Sequence, residues 1–276
     1  MELQHLSGKV AVVTGASRGV GKGIALELGA AGATVYVTGR SLREGPLPGT
    51  IGATAKEVTS LGGHGIPVRC DHGIDKEVEA LFQRVREESG RLDILVNNAF
   101  SVPDRFQGKA FWEHDLSVWD QLMHVGCRGH FVSSHFAAPI LIQQNSGLIV
   151  NISSYAGGQY LMNAAYGVGK AAVDRMAKDM AKDLMPYGVA AVSLWPGLVR
   201  TERVLSMRKH GHISFDVSKG ESPRFSGRAV VALASDPHLM DKTGQVLIAA
   251  ELAQHYGFVD IDGHVPGSLI EQVGAA

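Results

Sequence analysis

Short apolar runs alternate with longer amphipathic stretches along most of the chain. The runs are continuous and rich in β-branched residues, which is typical of strands buried on both faces of a sheet. The predicted strands are 9–14, 34–38, 64–70, 92–97, 148–152, 189–194 and 245–249. Between them, apolar residues recur at helical spacing. The predicted helices are 22–31, 54–61, 75–89, 116–144 with a break near Gly126 and Gly129, 164–185 and 228–234.

This alternation predicts an α/β fold, a doubly wound parallel sheet with helices on both faces. No repeat or linker interrupts it, so residues 1–276 are expected to form a single domain. Four segments depart from the pattern. A Gly- and Pro-rich stretch at 41–51 is either a flap or a solvent loop. An irregular stretch at 103–115, with Phe106, Phe111 and Trp112, is expected to line a substrate mouth. The other two are a polar lid at 202–224 and an irregular tail at 257–276.

Composition excludes several classes of protein. The chain has 276 residues, a formal net charge of −1 and a pI of about 6.9, and it has no Lys/Arg-rich run, so no nucleic-acid partner is predicted. Two cysteines, Cys70 and Cys127, indicate no disulfide framework and fit a reducing, cytoplasmic setting. No apolar run is long enough for a membrane span, and residues 1–8 lack the apolar core of a signal peptide.

A glycine loop joins the first strand to the first helix. Its sequence is Gly15-Ala-Ser-Arg-Gly-Val-Gly21, and the strand–loop–helix context is the one that a nucleotide-phosphate site requires. Glycines let the backbone turn tightly, and the helix N-terminus presents unpaired N–H groups to an anion. The candidate phosphate-binding residues are Gly15, Ser17, Arg18, Gly19, Val20 and Gly21. The competing interpretation is a plain tight turn.

The end of the second strand indicates which dinucleotide would bind. An acid there would accept a hydrogen bond from the adenosine 2′-hydroxyl of NAD(H). The chain instead has Gly39-Arg40, with Arg18 nearby in the glycine loop. Guanidinium groups pair with phosphate, so NADP(H) is favoured over NAD(H), unless both arginines are merely solvated. Asp71, at the end of the third strand, is a candidate contact for adenine or an N-cap for the next helix.

Tyr166 and Lys170 are the candidate catalytic pair. Residues four apart share one face of a helix, and a cation beside a phenol favours the phenolate and lowers its pKa. Such a pair is expected to exchange a proton with a substrate oxygen near neutral pH. A helix with an exposed Lys and a half-buried Tyr is the alternative. The histidines and cysteines show no metal-ligand spacing, so no catalytic metal is predicted.

Several motifs together resemble the short-chain dehydrogenase/reductase family over about residues 5–250. They occur in that family's order: Thr14-Gly15-x-x-x-Gly19-x-Gly21, Asn97-Asn98-Ala99, Ser154, Tyr166-x-x-x-Lys170 and Pro196-Gly197-x-x-x-Thr201. The details are most similar to the dehydrogenase/reductase member one subgroup. The resemblance implies a Rossmann fold, a nicotinamide cofactor and a small-molecule carbonyl or alcohol substrate. It also implies a homodimer or homotetramer formed through the helices at 116–144 and 164–185.

The resemblance also implies roles for individual residues. Tyr166 would be the general acid in reduction and the general base in oxidation, and Lys170 would lower its pKa and bond the nicotinamide ribose. Ser154 would hold the substrate oxygen. The remaining cofactor contacts would be Asn98, Pro196, Gly197, Val199 and Thr201.

Three positions leave questions open. The local Ser-x-x-Gly context favours Ser154 as the catalytic serine, whereas the family's usual spacing to the tyrosine favours Ser153. Gly126 stands where many members carry an Asn thought to relay protons through water to the lysine. Phe100 replaces the glycine that usually follows Asn-Asn-Ala, and is expected to narrow the crevice or wall the substrate pocket.

The leading functional hypothesis is an NADP(H)-dependent oxidoreductase acting on a carbonyl or secondary alcohol. A binding or regulatory module that keeps the cofactor is a second, and a lyase or isomerase with tightly bound cofactor is a third. The sequence predicts neither the physiological substrate nor the direction of the reaction.

Overall fold

A computed structural model describes residues 5–103, 109–211, 213 and 216–268 of the chain. The strands are Val10–Val13 (β1), Thr34–Gly39 (β2), His64–Arg69 (β3), Ile94–Asn97 (β4), Gly147–Ile152 (β5), Val189–Trp195 (β6) and Val246–Ile248 (β7). The α-helices are Gly19–Ala30 (α1), Ile51–Ser60 (α2), Asp75–Ser89 (α3), Leu116–Met123 (α4), Gly129–Gln144 (α5), Ala164–Leu184 (α6), Glu202–Lys209 (α7), Pro223–Ala234 (α8) and Ala249–Tyr256 (α9).

The seven strands form one sheet in the order β3-β2-β1-β4-β5-β6-β7, and every pairing is parallel. The strand order reverses between β1 and β4, and ligands of such sheets bind in the crevice at that point, beyond the carboxyl ends of the strands. Val13 pairs with Val37 on one side and Val96 on the other, so the loops after β1, β2 and β4 leave the sheet side by side. The predicted doubly wound sheet is therefore confirmed.

Alternation along the strands divides the core between the two faces of the sheet. On β1, Ala11 and Val13 pack with α1, α2, α8 and α9, whereas Val10 and Val12 pack with α3, α5 and α6. Because both faces are covered, the strands read as continuous apolar runs rather than as alternating ones.

Helices α1 and α8 touch backbone to backbone at Gly23. A Cβ placed there would collide with the carbonyl of Pro223 and lie 2.7 Å from the amide nitrogen of Arg224. Glu27, one turn further along α1, pairs with Arg224 and Arg228 of α8. The contact fixes the start of α8 beside the helix that follows the glycine loop.

The predicted helices differ from the structure at several points, and α2 begins at Ile51 rather than at residue 54. Helix α1 begins at Gly19 rather than at residue 22, because the glycines of the loop already belong to its first turn. Helix α8 begins at Pro223 rather than at residue 228, with the proline in the first turn, where its missing N–H costs nothing. Helix α9 was not predicted at all. The predicted break in 116–144 is a π-helical turn at His124–Arg128.

The predicted lid and tail are not uniform segments. Residues 202–209 form α7, capped by the Thr201 hydroxyl, while Glu221 and Ser222 are buried. The tail residues 257–268 contain no helix or strand, yet Asp260 is buried and bonds Ser222. Phe106, His212 and residues 269–276 lie outside the described residues. Among the helices that the structure describes, none is both long and apolar enough to cross a bilayer.

Candidate active site

A cavity of about 350 Å³ lies at the carboxyl ends of β1, β2 and β4, where the strand order reverses. It contains nine of the residues predicted to bind the cofactor: Gly15, Ser17, Arg18, Gly19, Val20, Arg40, Asp71, Asn98 and Thr201. Phe100, which was expected to narrow the crevice or wall the substrate pocket, also lies in this wall. The wall further includes residues that the sequence did not single out as ligand contacts: Gly39, Ser41, Leu47, Cys70, His72, Ala99, Val102, Val125, Glu202 and Arg203. The other predicted residues, Gly21, Ser154, Tyr166, Lys170, Pro196, Gly197 and Val199, lie outside this wall.

The glycine loop is shaped by close backbone contacts. Gly15 and Gly19 have φ of +65° and +58°, a region that favours glycine, and a Cβ at Gly15 would lie 2.8 Å from Ala99 Cα. A Cβ at Gly21 would lie 2.6 Å from the Gly15 carbonyl oxygen. Asn98 donates from Nδ2 to the carbonyls of Thr14 and Gly15, and so ties the end of β4 to the glycine loop.

An anionic group already contacts the start of α1. The Gly19 amide donates a 2.8 Å hydrogen bond to Oε2 of Glu202, which belongs to α7. The contact shows that this helix terminus accepts an oxyanion, as expected from its unpaired N–H groups and dipole. The glycine loop therefore presents an anion-binding helix terminus, whose Gly19 amide is bonded to Glu202 in this structure. Glu202 is a residue that the sequence reasoning missed, because its partner is distant in the chain.

Arg18 and Arg40 flank the end of the cavity near β2. Arg18 donates to the carbonyls of Pro48 and Gly49 and to the Ser41 hydroxyl, so it fastens the segment 41–51 to the glycine loop. This fastening, with Leu47 in the cavity wall, favours the flap over the free solvent loop.

Arg40 pairs with Asp71 at 3.3 Å, and its side chain is 64% exposed. Burial alone would raise the pKa of Asp71, but hydrogen bonding from Gly73 and the charge of Arg40 lower it. Asp71 bonds the amide of Gly73 and does not cap α3, whose first residue follows Ile74. The N-cap alternative is therefore wrong, and Asp71 keeps its place in the cavity wall.

Tyr166, Lys170 and Ser154 meet where β5 ends and α6 begins. Asn163 caps α6 by accepting from the Tyr166 amide, which fixes the first turn and the direction of the tyrosine. The Tyr166 hydroxyl lies 3.2 Å from Ser154 Oγ. Lys170 is 7% exposed and donates from Nζ to the Ile152 carbonyl at 3.1 Å. The alternative interpretation, a helix with an exposed lysine, is therefore wrong.

The pKa values of this pair differ from the expectation. Burial raises the pKa of Tyr166, and the hydrogen bond with Ser154 only partly opposes it. Burial also lowers the pKa of Lys170 to about 8, against the attraction of Asp174 and Cys127. The prediction that the pKa of the phenol is lowered is therefore wrong for this structure, because desolvation disfavours the charged form of both groups.

The two serines at the end of β5 point to different partners. Ser153 is buried and donates to the Lys170 carbonyl at 3.1 Å, so its hydroxyl helps hold α6 on the sheet. Ser154 faces Tyr166 and also caps the turn Tyr155–Gly157 by accepting from the Ala156 amide. The geometry supports Ser154 as the catalytic candidate.

Asp174 and Trp195 support this turn from behind. Asp174 accepts from Trp195 Nε1 at 3.0 Å and from the Ser193 hydroxyl. A Cβ on Gly157 would collide with the Asp174 carboxylate, and one on Gly158 would lie 3.0 Å from the Trp195 ring. The turn that carries Ser154 is thus packed against a residue one helical turn beyond Lys170.

The turn from Pro196 to Thr201 is fastened by Glu221. Residue 221 bonds the turn through its backbone, to Leu198 and Arg200, and its carboxylate accepts from the Gly197 amide at 3.0 Å. The Ser226 hydroxyl donates to the other oxygen. Burial raises the pKa of Glu221 to about 7, with Asp260 adding to the effect. Polar neighbours along the sequence gave no sign that Glu221 is buried.

One group of possible metal ligands occurs within the residues described. Asp260, Asp262 and His264 lie close together, and Arg200 pairs with both carboxylates at 3.7 and 3.1 Å. The arginine offsets one of the two carboxylate charges, and we propose no metal there.

The comparison with known proteins agrees with the geometry. A sequence model described as short chain dehydrogenase matches residues 9–211. A mouse protein named dehydrogenase/reductase SDR family member 1 is 48% identical over 271 residues, covering 94% of this chain and 85% of the mouse protein. The human protein of the same name is 45% identical over the same shares. The predicted resemblance, including the subgroup, is confirmed.

Solved structures give the same result for the fold. A short chain dehydrogenase from Mycobacterium thermoresistibile is 27% identical, with a TM-score of 0.81 over 95% of this chain and 93% of that one. A metagenomic short-chain oxidoreductase in complex with NADP is 30% identical, with a TM-score of 0.71 over 88% of this chain and 97% of that one.

Proposed function

Because the chain belongs to the short-chain dehydrogenase family of oxidoreductases, we propose that it interconverts a carbonyl group and a secondary alcohol with NADP(H). The observation that carries the proposal is the 3.2 Å contact between the Tyr166 hydroxyl and Ser154 Oγ, backed by the buried Lys170. These groups lie at the same strand-end edge as the cavity with the glycine loop.

When bound, the nicotinamide supplies or accepts the hydride. In reduction, Tyr166 donates its proton to the substrate oxygen while Ser154 donates a hydrogen bond to the same oxygen and stabilises its developing charge. The raised pKa of Tyr166 keeps the phenol protonated at neutral pH, which suits the acid role. In oxidation the same groups act in reverse.

Lys170 contributes positive charge behind the tyrosine. With a pKa of about 8 it is mostly protonated at neutral pH, and it bonds the Ile152 carbonyl at the end of β5. We propose that the ammonium stabilises the phenolate that forms when Tyr166 gives up its proton and that it also bonds the nicotinamide ribose. The turn from Pro196 to Thr201, with Val199, would hold the nicotinamide amide.

The choice of NADP(H) is supported by charge. Arg18, Arg40 and Arg203 lie in the cavity wall, and no acid follows β2 directly. Arg pairs with phosphate through two parallel hydrogen bonds, which favours the 2′-phosphate of NADP(H) over the bare ribose of NAD(H). The metagenomic relative was solved with NADP, which agrees with this choice.

A panel of ketones and aldehydes tests the reaction directly. Wild-type protein is expected to consume NADPH with at least one carbonyl substrate, followed by absorbance, and Tyr166→Phe is expected to lose that turnover. Intact NADPH binding with no turnover across the panel would favour a binding or regulatory protein instead. Stoichiometric nicotinamide in the purified protein, with no net redox change, would favour a lyase or isomerase.

Arg40→Ala tests the cofactor choice. Loss of the guanidinium is expected to weaken NADPH binding far more than NADH binding, because only NADPH carries the extra phosphate. Arg175→Ala is the matched control, since Arg175 is exposed on α6 and pairs with Asp179 rather than lining the cavity. Equal losses for both dinucleotides would remove the basis for choosing NADP(H).

A further inference from the structure

The Phe100 ring fills the space that a side chain at position 126 would need, beside the catalytic candidates. A Cβ on Gly126 would lie 2.6 Å from Cε2 of the Phe100 ring and would collide with the neighbouring ring carbon. Gly126 lies in the π-helical turn His124–Arg128 and does not have a positive φ. It is therefore space, rather than backbone conformation, that requires a glycine there while the ring is present.

The Phe100 ring contacts both members of the catalytic pair. Its centroid lies 5.8 Å from that of Tyr166, with the planes 80° apart in an edge arrangement. Lys170 Nζ lies 4.9 Å from the same centroid, a distance at which the face of an aromatic ring attracts a cation. The ring thus has the π-helical turn against one edge and the ammonium close to its centre.

The backbone before Phe100 is also held in place. The carbonyl of Ala99 accepts from Nε2 of His130 at 3.2 Å, and the Ala99 amide donates to the Thr14 hydroxyl. Burial lowers the pKa of His130 to about 3, so the imidazole of His130 is neutral beside Lys170. Phe100 therefore projects from a fixed point at the end of β4.

We propose that Phe100 is a positioning residue for Lys170. Its ring holds the ammonium against the Ile152 carbonyl behind Tyr166 and keeps water away from it on the side of the π-helical turn, and Gly126 makes room for the ring. The catalytic consequence rests on the function proposed above. Phe100 and Gly126, the two residues that depart from the family pattern, therefore depend on each other: the ring needs the space that the glycine leaves.

The charged and titratable groups around Lys170 determine how its pKa will respond to a change at Phe100. Tyr166 and Asp174 lie on the same helix, Cys127 comes from the π-helical turn, and His130 comes from α5. Burial lowers the pKa of Lys170, and the Asp174 carboxylate only partly opposes this shift. Removing the ring would admit water, whereas an aliphatic residue of similar bulk would keep water out but lose the attraction of the ring face.

The test is a titration of Lys170 in the cofactor-free protein, followed by NMR of its labelled side chain and assigned with Lys170→Met. In Phe100→Ala, the pKa of Lys170 is expected to rise from about 8 towards the ordinary value of a lysine. In Phe100→Leu it is expected to stay or fall. Values unchanged in both variants, with melting temperatures near wild type, would overturn the proposal.

Gly126→Ala provides an independent arm. Its added methyl group is expected to displace the ring and raise the pKa of Lys170 as Phe100→Ala does, and the double variant should show no further rise. Gly52→Ala in α2, where the nearest atom to the added Cβ is 4.0 Å away, is the control. Additive shifts in the double variant would mean that the two residues act separately and would contradict the interlock.

The pH profile of kcat/KM links the titration to catalysis. The limb that reports Lys170 is expected to move with the titration in Phe100→Ala. A wild-type protein without NADPH turnover would reject the proposed function, yet the titration would still decide whether the ring governs Lys170. Turnover whose pH profile is the same in wild type and Phe100→Ala would reject the positioning role alone.

Discussion

Two adjacent serines of the site have different partners, because successive side chains along a strand point to opposite faces. At the end of β5, Ser153 reaches the Lys170 carbonyl while Ser154 reaches Tyr166. The sequence alone left the choice open, because spacing to the tyrosine and local context gave different answers. The contact made by each hydroxyl now supports one of them.

Ser154→Ala and Ser153→Ala form a matched pair. We expect Ser154→Ala to lower kcat by about 10²-fold or more, since a donor to the developing oxyanion is lost. Ser153→Ala should keep most of the activity and lose stability instead, because its hydroxyl bonds the backbone of α6. Steady-state kinetics and thermal melting separate the two. Greater loss of kcat in Ser153→Ala would reverse the assignment.

Glu221 shows how a polar residue can be buried without a signal in the sequence. Its neighbours along the chain are small or polar, and the partners that bury it, Gly197 and Asp260, come from distant segments. Burial raises its pKa from the ordinary 4.5 to about 7. The folded protein therefore binds this proton more tightly than the unfolded chain does.

Glu221→Gln is expected to make stability less dependent on pH. The wild type should be relatively stable near pH 4.5 and lose stability as pH rises through about 7, where the buried carboxyl becomes charged. The neutral amide avoids this cost. The free energy of unfolding of the variant, relative to that of the wild type, should therefore rise by up to about 3 kcal/mol between pH 5 and pH 8. Denaturant unfolding at several pH values measures it, and parallel curves for the two proteins would contradict it.

At the scale of elements, most strands and helices could be predicted, since continuous apolar runs and helical spacing survive in the sequence. The start of α1 could not, because Gly19 and Gly21 in its first turn look like part of a loop. Helix α9 was missed because it is only eight residues long and follows a short strand. The contact between Phe100 and Gly126 depends on packing between separate segments, which local patterns do not contain.

The contact between α1 and α8 gives a prediction at this scale. Gly23→Ala would press a methyl group against the backbone of Pro223 and Arg224, which cannot move without shifting α8. We expect a loss of about 1–3 kcal/mol in the free energy of unfolding, or more if the helices cannot separate. Gly52→Ala, which meets no close atom in α2, should be neutral or gain up to about 1 kcal/mol. Equal unfolding midpoints would contradict the close contact.

For the whole molecule, the order of the strands brings the parts of the site together. The glycine loop after β1, Asn98 after β4 and Ser154 after β5 meet at one edge because every strand runs the same way. The sequence could predict this edge from the βαβ pattern and the family resemblance. It could not predict the substrate, since the segments 100–115 and 202–224 encode no recognisable ligand chemistry.

The central claim is that this edge transfers a hydride to a carbonyl while Tyr166 supplies the proton. The most direct measurement follows deuterium from 4-deuterated NADPH into the product alcohol, with NADPH affinity measured in parallel for wild type and Tyr166→Phe. We expect deuterium in the wild-type product and none above background with Tyr166→Phe, at similar NADPH affinities. Undiminished transfer by Tyr166→Phe would contradict the account.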